Sequence, residues 1–410
     1  MKNPAEAPIA VEEALEIVLR ETAVLPLEEV TLASALDRVL CEEIAADADQ
    51  PPFAKAMMDG FAVRSSDLAS VPATLEVVEE IPAGRMPFRP LSSGQASRIM
   101  TGAPLPDGSD AVQMVEKTQP SAQGRRVVIL EKVAPGANVA ARGQQLIAGQ
   151  KVLSSGDRLT PARLGVLASV GRAAVKVRRR ARVAVVPTGD ELVECGTIPG
   201  PGQIRNSNSP ALVASARLLG AEAEGLGIVR DEMQALSRSI THGLRSDLLL
   251  LSGGVSMGEF DLVEKALEEA GVEIYFRKVA IRPGKPAVFG RKGSCLVFGL
   301  PGNPVSSLVV FEVFVTAALR KMQGMPDPLS RTWSAILEEP VSQRPGRTAY
   351  LPGSLRFGED GARIRPIATT GSADLPAYSR ANALYVLPSD REHFEAEEKV
   401  RVLPLGFTPT

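Results

Sequence analysis

Between Arg182 and Gln323 short apolar runs alternate with amphipathic stretches. RVAVVP (182–187), EGLGIV (224–229), DLLLLS (247–252), EIYFRKV (273–279) and CLVFGL (295–300) read as strands. The intervening segments place apolar residues at helical spacing. Leu262, Val263, Ala266, Leu267 and Ala270 form one apolar stripe on a helix predicted for 259–270, suited to packing on a sheet. An earlier helix can be capped by Asn208 or Ser209, with Pro210 inside it and Gly220 as its stop. This alternation predicts a central, mainly parallel α/β sheet.

The flanks have a different rhythm. Val11, Leu15, Val18 and Leu19 recur at helical spacing near the start, and Thr31 can cap a second short helix through Leu40. From 51 to 149 the chain turns to short β-prone runs such as TLEVV, AVQMV and RVVIL, separated by Pro and Gly. Thr160 and Pro161 then read as N-cap and first residue of a helix ending near Gly171. After the turn-rich MPDPLS (325–330), WSAIL, TAYLPGSLRF, ARIRPI and ALYVLP are again β. The expected organisation is multidomain α/β plus β. Residues 1–50 and 140–180 make an N-terminal helical/β scaffold. Residues 51–139 make a small β-rich inserted domain, 181–326 the α/β domain, and 327–410 a C-terminal β-barrel-like domain.

Composition narrows the chemistry. The 410 residues are 44% hydrophobic and 23% charged, the balance of a globular protein able to bury several cores. With 46 Lys plus Arg against 48 Asp plus Glu, and only 4% aromatics, the chain lacks the basic surplus and stacking surface of a nucleic-acid binder. Cys41, Cys195 and Cys295 are scattered and form no CxxC pair, and His242 and His393 are the only histidines. Disulfide scaffolds, zinc sites and Ser-His-Asp catalysis are thereby disfavoured, so protein metal ligands must be mainly carboxylates. Glu12, Glu13 and Glu16 interrupt the apolar run that an export signal would need, and the apolar stretch 305–319 is short and contains Glu312, so a cytoplasmic protein without membrane spans is expected.

Three turns carry the strongest candidate chemistry. In LSGGVSMGEFD (251–261) an apolar strand runs into Gly253-Gly254 and then a helix, so close backbone approach and free helix N–H groups can hold an anion, with Ser256 adding a hydroxyl. A plain glycine turn is the bland alternative, and neither a Walker A loop nor GxGxxG specifies a nucleotide. In LPGNPVSS (300–307) Pro301 and Gly302 precede Asn303 as N-cap and Pro304 as first helical residue, which ordinary capping also explains. VPTGDEL (186–192) sets Thr188, Asp190 and Glu191 past another strand. In an open parallel sheet all three lie beyond the strand carboxyl ends, where such folds bind ligands. There Asp190, Glu191, Asp231 and Asp261 could hold a hard cation such as Mg²⁺. Lys278, Arg282 and Lys285, around a Pro-Gly turn in 275–290, supply receptors for oxyanion oxygens. Apart from these, PPFAKAMMDGFAVR (51–64) sets Asp59 among Phe53, Met57, Met58 and Phe61. Packing accounts for the apolar residues less awkwardly than for the acid.

PPF with MDGFAVR, IMTGAPLP (99–106), PTGDEL, IRNSNSPAL (204–212), SGGVSMGEFD, RPGKP and GLPGNPVSS together resemble the MoeA-type molybdopterin molybdenumtransferases, which include the E domain of gephyrin. The likeness covers nearly the whole chain. It implies a four-domain, elongated homodimer that inserts molybdate into adenylylated molybdopterin with Mg²⁺ present and releases AMP. It also implies a part in dimerisation for the scaffold of 1–50 and 140–180. The site would lie between the α/β domain of one subunit and other domains of its partner. By motif it implies roles for Asp59, Thr101, Glu191, Asp231, Asp261, Lys278 and Arg282, with Pro301 and Pro304 in the ligand-cleft turn. Asp59 and Asp261 are the preferred acids, and Asp190, Glu191 and Asp261 the metal ligands. Arg347 and Ser372 resemble positions that the partner subunit brings to the cleft. The partners implied beyond the second subunit are a molybdopterin adenylyltransferase and acceptor molybdoenzymes. The chain departs from the family in reading Arg142-Gly143-Gln144-Gln145 where an acidic pair is common, and in having Arg282 where Lys is frequent. The alternatives are a molybdopterin adenylyltransferase, disfavoured by Val255-Ser256 after the glycines and by the large flanking domains, and a gephyrin-like scaffold without catalysis.

Overall fold

The computed structural model describes residues 7–121, 123–254 and 262–406. At its centre is a six-stranded sheet in the order Glu222–Gly225, Arg182–Pro187, Leu248–Ser252, Cys295–Leu300, Pro286–Lys292, Glu273–Lys278. The first four strands run parallel, Pro286–Lys292 runs antiparallel to the neighbours on both its sides, and Glu273–Lys278 thereby runs with the first four. Every residue of Leu248–Ser252 and Cys295–Leu300 is buried, as befits strands covered on both faces. One face packs Leu212 and Ala216 of helix Asn208–Leu218, and the other packs Leu236, Ile240, Val263 and Leu267 of two further helices. The strand Pro286–Lys292 falls where the sequence predicts a basic turn. Its first residue is Pro, and a Cβ on Gly290 would lie 2.6 Å from the Glu273 carbonyl oxygen, so close backbone packing replaces the usual strand signature.

The apolar stretch 305–319 is a buried helix of this domain, running as Pro304–Val310, a π-turn at Phe311–Val315, and Thr316–Met322. Helix Val11–Glu21, expected to open the scaffold, packs Val11, Ala14 and Val18 into the core of the α/β domain. The predicted helix from Thr31 to Leu40 is a single 3₁₀ turn, Leu32–Ser34, because Val39 and Leu40 bridge to Arg158 and Val177 instead. Helix Pro161–Ser169 forms as predicted, with Thr160 Oγ1 accepting from the Arg163 N–H.

The β-rich domain is a six-stranded sheet in which Gly60–Val63 lies between Ala111–Met114 and Gln95–Ile99. The C-terminal domain closes into a five-stranded barrel: Thr348–Gly358 pairs with Gly361–Pro366, and the circuit returns through Trp333–Leu337, Lys399–Pro404 and Ala383–Leu387. Ile281–Arg282 of the α/β domain pairs in parallel with Thr348–Ala349 of the barrel. That pairing fastens the two domains of one chain through their backbones.

Candidate functional site

Hydrogen bonds gather the three predicted turns at the carboxyl edge of the parallel strands. Thr188 N donates to Ser252 O at 2.9 Å and Gly253 N to Leu300 O at 3.2 Å. Gly253 and Gly254 have φ of 100° and 63°. A Cβ on Gly253 would stand 2.3 Å from Thr188 O, and one on Gly254 2.5 Å from Val263 Cγ2, so only glycine fits either position. Thr188 is 2% exposed, and its Oγ1 has no hydrogen-bond partner among the described residues. Ser256 and Asp261 lie outside the described residues; the helix is seen from Leu262 to Glu269.

Beside this edge three acids crowd together. Asp190 Oδ1 accepts from Asp231 N at 3.3 Å, and a Cβ on Gly189 would lie 2.4 Å from the Glu191 carboxylate. Asp231 Oδ1 is buried without a partner among the described residues. Burial pushes the Asp231 pKa up, and the charges of Asp190 and Glu191 push it further. Among the described residues no three acids, histidines or cysteines form a ready metal cage. Of the ligand set expected for the cation, Asp190 and Glu191 are adjacent here, and Asp231 joins them.

A cleft of about 530 Å³ opens between the α/β domain and the barrel, lined among others by Arg282, Lys285, Pro301, Asn303, Arg347 and Ser372. Arg347 and Ser372, whose resemblance implied supply by a partner subunit, therefore line the cleft of their own chain. The reason is the Ile281–Arg282 pairing, reinforced by Thr348 N donating to Ala280 O at 2.9 Å, which holds the barrel against the cleft. Asn303 stands at the N-cap position but makes no side-chain cap. Its Nδ2 donates to Ser372 Oγ at 2.8 Å, while Val305 N donates to Ser372 O at 3.1 Å. Pro304 opens the helix as expected. Lys278 is half-buried at the end of Glu273–Lys278, opposite Pro286, outside the lining of that cleft. Thr370 also lines the cleft and carried no sequence signal of its own.

Asp59 and Thr101 meet in the β-rich domain. Asp59 Oδ1 accepts from both Thr101 N and Thr101 Oγ1 at 2.7 Å, and these bonds hold the exposed carboxyl below the usual aspartate range. A Cβ on Gly60 would fall 1.9 Å from Gln113 O, which fixes the Asp-Gly turn on the sheet. Phe61 is buried, but Met57 and Met58 are 51% and 42% exposed, so packing within the chain does not account for them. The Gln144-Gln145 departure lies in a tight turn, where Gln144 Oε1 accepts from Ala141 N at 3.0 Å.

Fold and site define a class: a multidomain chain whose α/β domain gathers three turns at one sheet edge, flanked by an acid cluster and a cationic cleft. Three family models match in order: the MoeA N-terminal region (domain I and II) over 9–171, a probable molybdopterin binding domain over 184–321, and the MoeA C-terminal region (domain IV) over 334–405. A relative from Nostoc sp. (strain PCC 7120), named molybdopterin molybdenumtransferase, is 37% identical over 92% of this chain and 88% of its own length. One of the same name from Bacillus subtilis (strain 168) is 34% identical over 97% of this chain and 94% of its own. The crystal structure of the molybdopterin biosynthesis MoeA protein from Pyrococcus horikoshii superposes with a TM-score of 0.82 at 32% identity, covering 97% of this chain and 99% of that one. The chain belongs to the molybdopterin molybdenumtransferase (MoeA) family. Among the described residues no helix is long and apolar enough to cross a membrane.

Proposed function

We propose that this chain inserts molybdate into adenylylated molybdopterin and releases AMP, as a homodimer in the cytoplasm. The observation that carries the reading is the gathering of the three turns on one parallel-sheet edge beside the acid cluster and the cationic cleft. The glycine turn and the Thr188 hydroxyl receive the phosphate-bearing part of the substrate, since backbone N–H groups at a strand-to-helix turn favour anions. Arg282, Lys285 and Arg347 receive oxyanion oxygens, Arg through its planar fork and Lys as a point charge. Pro301, Asn303 and Ser372 line the same cleft, and Gly302 lies in the turn between the first two.

Among the described residues the acids form no ready cage by themselves, but they suit Mg²⁺ as part of a shell that substrate phosphates complete. Asp231 carries a buried, unpartnered oxygen and is repelled by Asp190 and Glu191, and Mg²⁺ typically takes one or two carboxylates with substrate phosphates completing its shell. Asp190, Glu191 and Asp231 are the described residues that would hold it, with Asp261 as a further ligand. Bound there, the cation would neutralise charge on the phosphoric anhydride during cleavage. The protein's own part is to hold the anhydride on the glycine turn and the oxyanion in the cleft. Asp59, presented with exposed Met57 and Met58, would serve the α/β domain of the second subunit. A molybdopterin adenylyltransferase would supply the substrate and molybdoenzymes accept the product.

The test mixes the purified chain with Mg²⁺, molybdate and adenylylated molybdopterin, and follows AMP and metal-loaded cofactor. Both are expected to appear together. A folded protein that forms neither while its substrate stays intact overturns the reading.

A further inference from the structure

The sequence Asn206-Ser207-Asn208-Ser209 opens the helix Asn208–Leu218, and its two asparagines do different work. Asn206, 6% exposed, caps the helix by accepting from Ser209 N at 3.1 Å. The Asn208 side chain takes no part in capping. Its Nδ2 donates to Ser252 Oγ at 2.7 Å and to Gly302 O at 2.8 Å. An amide nitrogen carries two hydrogens, so both are committed. One acceptor immediately precedes the Gly253-Gly254 turn, and the other lies inside the Pro301–Asn303 turn.

These bonds span the sheet edge. The glycine turn is otherwise joined to the neighbouring strand by Gly253 N donating to Leu300 O, and to the Thr188 turn by Thr188 N donating to Ser252 O. Those bonds continue the backbone ladder of the sheet and stop at its edge. Gly302 is exposed, two residues beyond the last strand residue, where Asn208 alone supplies a side-chain tie to the glycine-turn side among the described residues. Without it the Pro301–Asn303 turn keeps its anchors to the barrel, through Asn303 to Ser372, and loses its anchor to the phosphate-receiving turn.

We infer that Asn208 is a positioning residue that sets the distance between the Gly253-Gly254 turn and the Pro301–Asn303 turn, and so aligns the two parts of the substrate for reaction. The inference rests on the proposed function for its kinetic consequence and on the hydrogen bonds alone for its structural one. Misplacing reacting groups by a fraction of an ångström to an ångström lowers the chemical step without unfolding the protein. Asn208→Ala is therefore expected to lower kcat roughly 30-fold while KM for molybdate changes little. Ser252→Ala removes one of the two acceptors and is expected to cost roughly threefold. Because both substitutions cut the same tie, the double variant should match Asn208→Ala alone, a non-additivity that two independent structural defects would not give.

The experiment pairs this kinetic cycle with hydrogen exchange on the intact chain. Amides of 253–254 and 302–303 in Asn208→Ala are expected to exchange at least about tenfold faster than in the wild type, with the cores of Leu248–Ser252 and Cys295–Leu300 unchanged. Exchange at the turns that is unchanged, or faster throughout the domain, overturns the inference, as does turnover within twofold of wild type. A wild-type chain that releases no AMP overturns the proposed function instead, and the exchange pattern still decides the role of Asn208.

Discussion

Asp59 and Asp231 are aspartates in two different domains of one chain, and their surroundings treat the negative charge in opposite ways. Asp59 is exposed and receives two hydrogen bonds from Thr101, so its anion is stabilised and its pKa lowered. Asp231 is partly buried, has one oxygen without a partner among the described residues, and faces two further acids that raise its pKa. A carboxylate already satisfied by donors is a weak base and a good fixed charge. A carboxylate repelled by its neighbours gains most from a cation or a proton. Under the proposed function this contrast suits Asp59 to orient and Asp231 to bind.

The largest effect is expected at Asp231. Asp231→Asn keeps the shape and removes the charge that a cation would offset, so turnover should fall roughly 100-fold at limiting Mg²⁺. A raised aspartate pKa means that the folded chain carries a cost once pH rises above the folded pKa, and none below the unfolded one. Asp231→Asn should therefore unfold no more readily than wild type at neutral pH without metal. Added Mg²⁺ should raise the unfolding temperature of wild type and leave the variant's unchanged. A variant that gains as much from Mg²⁺ as wild type would remove Asp231 from the cation site and break the contrast with Asp59. A smaller effect is expected at the other pole. Thr101→Val removes the hydroxyl donor and keeps the backbone one, so the Asp59 pKa should move up towards the ordinary range in a carboxyl NMR titration, and turnover should fall roughly fivefold. An unmoved Asp59 titration would show that the Thr101 backbone N–H alone holds the charge.

How far this contrast was readable beforehand differs between its halves. The parallel sheet and its turns were legible because consecutive buried runs such as LLLL (248–251) leave few alternatives, and because Gly253-Gly254 ends a strand and opens a helix. Asp190, Glu191 and Asp231 were legible as acids near that edge. The repulsion among them was not, since it depends on the distance between residues some forty apart. Arg347 and Ser372 were legible as cleft residues by resemblance, but the strand Ile281–Arg282 that keeps them on their own chain is two residues long and gives no periodic signal. Asn208 or Ser209 reads as the helix cap, but the side-chain bond to the first turn comes from Asn206. Helix Val11–Glu21 showed its amphipathic stripe, but a stripe says that a face is buried and not against which domain.

The smallest catalytic effect, and the sharpest control, belongs to a third acid. Glu312 sits in the π-turn of the buried helix, and burial pushes its pKa up to about 7, with the charge of Arg320 opposing the rise. Its charge in turn raises the pKa of Tyr378, already lifted mainly by burial. No second carboxylate contributes to the Glu312 shift, so it isolates burial from the like-charge repulsion seen at Asp231. Its folded pKa lies above the unfolded value of 4.5, so the folded chain binds the extra proton between those two pH values. Stability should therefore fall as pH rises from about 4.5 to about 7 and level off above it. Glu312→Gln should abolish that slope and unfold later than wild type at pH 8 in denaturant, by on the order of 2–3 kcal/mol. Turnover should be unaffected, and the difference in slope between wild type and Glu312→Gln should be the same with and without Mg²⁺. A difference that Mg²⁺ does suppress would mean that the cation responds to buried carboxylates at large, and the distinction drawn for Asp231 would lose its basis.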